Sequence, residues 1–160
     1  MNKTKDNKLK HYVDNDIQEM INVLKNTEED TIRWNPSKEE WSIMQVVVHV
    51  SESIPFWLNE IERVKKDPTV KWGRGYFDKN RLITLSKENI DNTTLDEAIT
   101  NLEKVPLLVK ETLESLTDEQ PQEKAIQFMI DIEVIKHIEG HLHQVKRNLS
   151  NKEKAAWNLI

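Results

Sequence analysis

Apolar side chains return every three or four residues along four long stretches of this chain, which is the period of a helix rather than a strand. In the first, roughly Leu9 to Leu24, the residues Tyr12, Val13, Ile17, Met20, Ile21 and Leu24 share one side. The second opens after Trp41, where Ser42 and Gln45 have the capping-box spacing that satisfies free amides at a helix start. It is expected to run to about Lys66 with Ile43, Val46, Val47, Val50, Ile54, Trp57, Leu58, Ile61 and Val64 on a broad stripe. Pro55 lies inside it, and because proline removes a donor and crowds the preceding turn, a kink near Ser51 to Pro55 is expected rather than a helix end. A second capping box, Thr94 and Glu97, opens the third stretch, which carries Leu95, Ala98, Ile99, Leu102, Val105, Leu108, Leu113 and Leu116, with a further kink expected at Pro106. The fourth, roughly Glu123 to Leu149, carries Ile126, Ile130, Val134, Ile138, Leu142, Val145 and Leu149.

A helix with one apolar stripe must bury it against another element, so four such helices predict an all-α, four-helix bundle built as a single domain over residues 1–160. The pattern breaks down between Asp67 and Asn92, around Pro68, Gly73 and Gly75. This long connection suits a crossover, with one short helix near Asp78 to Ser86. The tail from Ala155 to Ile160 is apolar enough that it is expected to dock on the body. Only 3 glycines and 5 prolines, with 32% charged residues, fit helices with wide solvated faces and exclude an all-β fold.

The net charge is −5 with no basic cluster, which disfavours a nucleic-acid partner and a negative membrane surface. No segment is apolar for long enough to cross a bilayer, and Met1 to Asp16 is too polar for a secretory signal. A cytoplasmic protein is expected. With no cysteine, the candidate reactive groups are histidines and carboxylates.

Three of the five histidines have informative positions. His137 and His141 are four residues apart on the fourth helix, so their rings lie one above the other on one face, at the border of the apolar stripe, with Gln144 following on that face. His49 interrupts the run Val46-Val47-Val48-His49-Val50 and borders the second helix's stripe, with Glu52 on its side. If the two helices are neighbours, three neutral imidazoles converge on one divalent ion with positions left open for water or substrate, and Glu52 is a candidate to take a proton or orient a ligand. The other reading is structural: a histidine at a stripe border is commonly a core residue bonded to backbone, Glu52 a solvated charge, Gln144 a polar boundary residue, and Trp34, Trp41 and Trp57 core or loop anchors. His11 and His143 project elsewhere.

The stretch Trp41-Ser42-Ile43-Met44-Gln45-Val46-Val47-Val48-His49-Val50-Ser51-Glu52-Ser53, preceded by Trp34-Asn35-Pro36, resembles the start of the second helix in the DinB-like family. His137-Ile138-Glu139-Gly140-His141-Leu142-His143-Gln144-Val145 is similar to that family's last helix, and the two segments stand in the family's order. The resemblance implies a bundle with a long crossover, commonly dimeric, in which His49, His137 and His141 hold a divalent metal, zinc or nickel. It also implies a metal-dependent transferase or hydrolase acting on a small molecule, with a low-molecular-weight thiol as one candidate and a homodimer as the assembly. Where the thiol-transferase branch reads like H-V-A-D-S-H, this chain has Ile54 in place of the second histidine. A non-catalytic dimerising or ligand-binding bundle is the alternative.

Overall fold

The computed structural model describes residues 3–117 and 123–158, and among them there are helices and turns but no strand. In chain order the helices are α1 (Lys3–Asn26), α2 (Glu29–Ile32), α3 (Ile43–Lys66), α4 (Lys79–Thr84), α5 (Lys87–Asn92), α6 (Leu95–Ser115), α7 (Lys124–Phe128), a π-helical stretch (Met129–Lys136) and α8 (His137–Trp157). α1 packs on α6 and α8, and α3 packs on the same two, so the four long helices close a ring around one core. Both expected capping boxes are present, at Ser42 and Gln45 and at Thr94 and Glu97, and α3 continues through Pro55 as α6 does through Pro106.

The expected stripes form the core, with two departures. Tyr12 is 48% exposed, and in α6 the core position falls to Val109 while Leu108 turns outward. At 100° per residue, Val109 lies about 20° from the meridian of Leu102 and Leu108 about 120° from it, so the break in register belongs to the helix itself. Residues 67–94 link α3 to α6 and contain two short helices rather than one, capped by Asp78 and Ser86. Six residues each are too few to display a period, and α5 was for that reason not legible. The tail does not dock as expected: α8 carries on to Trp157, which the continuing helix leaves 75% exposed. Leu159 and Ile160 lie outside the described residues.

The last helix solves a geometric problem posed by its own sequence. Ile126, Ile130, Val134, Ile138 and Leu142 recur every four residues, and four residues of α-helix turn about 400°, so a regular helix would wind this stripe off the core by about 40° per step. Through Met129–Lys136 the hydrogen bonds run π-fashion to the fifth residue back, and each residue turns the chain less. The drift is offset, and all five side chains, with Met129, stay no more than 3% exposed.

α3 and α8 are also tied together by polar atoms. Asn148, buried in α8, donates from Nδ2 to the Trp41 carbonyl at 2.7 Å, just before α3 begins. Replacing Asn148→Ala would leave that carbonyl without its donor and is expected to cost about 1–3 kcal/mol in urea unfolding. An unchanged midpoint would show that the tie contributes nothing.

Candidate metal centre

The first turn of α3 is held by a small polar network. Ser42 Oγ accepts from the Gln45 amide at 3.1 Å, and Gln45 Oε1 accepts from the Ser42 amide at 2.8 Å and from Asn35 Nδ2 at 2.7 Å. With the Asn148 bond to Trp41, this network fixes the height of α3 against α8, and therefore of His49 against the histidines of α8. His49, buried in α3, brings its Nε2 to 3.0 Å from His137 Nε2. Its ring centroid is 4.9 Å from that of His141, and the His137 and His141 centroids are 4.6 Å apart. One ring nitrogen from each of the three lies within 4.8 Å of the others. The structure thus brings together all three histidines singled out by the sequence.

Two of the rings are oriented from behind. His137 Nδ1 donates to the Glu133 carbonyl at 3.1 Å. In an α-helix that oxygen would accept from the His137 amide, but here the amide bonds to the carbonyls of Ile132 and Val134, and the π-helical stretch leaves Glu133 available to the ring. His141 Nδ1 donates to Gln144 Oε1 at 2.9 Å. Carbonyl oxygens only accept, so both rings carry their proton on Nδ1 and expose a bare Nε2 lone pair. His49 Nδ1 is buried with no hydrogen-bond partner among the described residues. Trp41 covers the cluster, edge-on to His49 at 5.0 Å and stacked on His141 at 6.2 Å.

A cavity of about 300 Å³ opens beside the cluster, with His49 and His137 in its wall. Ser53, Trp57 and Tyr76 line it, as do three charged groups missing from the sequence reading: Arg74, Arg81 and Glu133. Glu133 had a legible signal, since it precedes His137 by the same four residues that separate His137 from His141. Arg74 and Arg81 had none, because they come from an aperiodic connection. Glu52 does not reach the histidines: its carboxylate is held bidentately by Arg74, whose side chain is 8% exposed and whose guanidinium stacks on Phe56 at 4.2 Å. Gln144 touches His141, as its place in the row suggested. His11 bonds to Asn15 on the exposed side of α1, and His143 is exposed.

Three imidazoles from two helices can hold one metal ion. The family model described as the DinB superfamily matches residues 12–144. The chain belongs to the DinB superfamily. No curated protein and no solved structure matches it. Ile54, which stands where the thiol-transferase pattern has a second histidine, is fully buried in the core of this DinB superfamily member.

The protonation of the cluster fits a ligand set. Burial, followed by repulsion from His141, His137, Arg81 and Arg74, pushes His49 down to about 2. Burial and His141 take His137 down to about 4 against the opposing bond to Glu133, and burial lowers His141 against its bond to Gln144. Neutral imidazole is the form that binds metal. Because these folded values lie below the ordinary 6.5, the unfolded chain takes up protons first as pH falls. Stability of the metal-free protein is therefore complete above about pH 6.5 and is lost as the pH falls toward the folded values. Between pH 6.5 and 5, above the range of most carboxylates, urea unfolding should show a slope approaching about 1.4 kcal/mol per pH unit for each histidine kept neutral. His49→Gln should lower the slope by one histidine's share, leaving that of His137 and His141; the same slope in that variant would remove His49 from the account.

Proposed function

We propose that this chain is a metal-dependent enzyme of the DinB superfamily, acting as a transferase or hydrolase on a small molecule. His49, His137 and His141 hold one divalent ion, zinc or nickel, through their Nε2 atoms. The observation that carries the reading is that the bare Nε2 of His137 meets His49 Nε2 at 3.0 Å and a ring nitrogen of His141 lies within 4.8 Å of the other two, beside an open cavity and not inside a closed core. The donor set suits zinc or nickel, since it is all nitrogen with no thiolate and no carboxylate among the three. Bound there, the ion would supply Lewis-acid charge that favours loss of a proton from a thiol or water.

The chain's own residues do the rest. Glu133 lines the cavity, and burial pushes its carboxyl above the ordinary 4.5, which suits a group that accepts a proton from the incoming thiol or water and passes it to solvent. Trp41 shields the cluster, while Trp57 and Tyr76 give the substrate apolar walls. Glu52, placed behind Arg74, positions that guanidinium and does not itself meet substrate. A low-molecular-weight thiol adding to an electrophile is the transferase form of the reaction, and water attacking a small ester or amide is the hydrolase form. Among the described residues no helix is long and apolar enough to cross a membrane. A cytoplasmic homodimer is part of the proposal.

Protein purified without a histidine tag is expected to carry about one divalent ion per chain by elemental analysis. His49→Ala or His141→Ala should lose most of it, and Glu133→Gln should retain it. Metal-free protein after growth in medium supplemented with zinc and nickel would sink the proposal.

A further inference from the structure

We infer that the cavity beside the histidine cluster binds a small organic molecule through a carboxylate, with Arg81 as its receptor and Ser53 Oγ as a second donor. This deepens the function proposed above and rests on it. Arg81, at the third residue of α4, lines the same cavity as His49 and His137. Its guanidinium donates once, to the Tyr76 carbonyl at 3.0 Å, and lies over the rings of Tyr76 at 5.3 Å and Trp41 at 5.7 Å. It pairs with no carboxylate among the described residues. Arg74 on the same wall differs, since Glu52 holds it bidentately and Asp78 lies 3.7 Å away, so its charge is already answered. Ser53 lies one turn after His49 on α3, is fully buried, and its Oγ has no hydrogen-bond partner among the described residues while it lines the cavity. A buried hydroxyl without a partner and a half-buried guanidinium with one carbonyl acceptor and no carboxylate are polar groups whose further partners a ligand oxygen would supply.

The charge count points to an anion as well. A divalent ion held by three neutral imidazoles brings two positive charges to this cavity and Arg81 a third, against the one carboxylate of Glu133. Two unit charges remain. A substrate thiol that has lost its proton answers one of them, and a single carboxylate answers the other. A planar carboxylate matches the flat edge of one guanidinium, and the volume of about 300 Å³ suits a molecule of a few carbons beyond its thiol.

The test compares two thiols of equal length on protein loaded with cobalt(II), whose visible absorption reports thiol binding directly. The unsubstituted protein is expected to bind 3-mercaptopropionate about tenfold or more tightly than 3-mercaptopropan-1-ol, the fold-change a charge-assisted pair supports. In Arg81→Met the two should bind alike, with the alcohol unchanged, and Arg81→Lys should keep part of the preference. Equal affinities in the unsubstituted protein, or a preference that survives Arg81→Met, would overturn the inference. If neither thiol changes the cobalt spectrum, the thiol chemistry proposed above fails by itself, and propionate decides the carboxylate site separately. Binding at Arg81 should then shift its Nε–H resonance in the unsubstituted protein, and no shift at saturating propionate rejects the site.

Discussion

The carbonyl of Glu133 connects the packing of this molecule to its chemistry. A regular α-helix would spend that oxygen on the amide of His137, leaving the imidazole behind it free to rotate and to carry its proton on either nitrogen. Because the hydrogen bonds run to the fifth residue back through Met129–Lys136, the oxygen is free and the ring takes it at 3.1 Å. The same π-helical stretch is what a four-residue apolar repeat needs to remain on the core. One irregularity therefore answers two constraints: the burial of Ile126 through Leu142, and the orientation of the ligand that follows it. A change that restored regular α-helix here would turn either the stripe or the ring out of place.

His141 is oriented differently, by a side chain one turn further on, and His49 by the walls around it and by its Nε2 contact with His137 at 3.0 Å. Trp41 fixes the plane of His49 from one side while the polar network of Ser42, Gln45, Asn35 and Asn148 fixes where α3 starts. That division of labour explains why segments far apart in the chain behave as one unit. The indole covering the rings and the carbonyl anchored by Asn148 belong to the same residue, Trp41, so the shielding of the cluster and the docking of α3 on α8 rise and fall together.

How much of this the sequence showed follows from where periodicity exists. The long helices, their two capping boxes and most core positions could be read directly, because a stripe repeated over many residues averages out local exceptions such as Leu108, while Ile32, Met44, Val48, Ile90, Val109 and Met129 lie off the stripes and join the core as well. The three histidines were legible for the same reason: each sits on a periodic element, so its face could be computed. Glu133 lies four residues before His137 in that same row and is legible from it, whereas Glu52 shares a helix with His49 but points into the pair with Arg74. Arg74 and Arg81 were beyond reach, since a connection without a period says nothing of where its side chains return. Gly73 shows why such a connection resists reading: its backbone holds φ at 96°, a left-handed turn that a glycine permits without announcing, and the chain folds Arg74 back over α3 from there.

Placing two guanidiniums beside a site for a dication looks self-defeating until their partners are compared. Arg74 is nearly enclosed and would be costly to bury alone, but its bidentate carboxylate and the face of Phe56 leave it close to neutral in effect, a rigid wall more than a charge. Among the described residues Arg81 has aromatic faces and one carbonyl to compensate it, which suffices for a half-buried cation yet leaves its charge directed at the cavity. A site meant for metal alone would be served better by removing that charge, and neutral imidazoles would bind the ion more tightly without it. Its presence makes sense when the cation and the ion are answered together by one incoming molecule. The weaker grip on metal is then offset by discrimination among substrates, since a neutral molecule of the same size would leave Arg81 without a carboxylate partner.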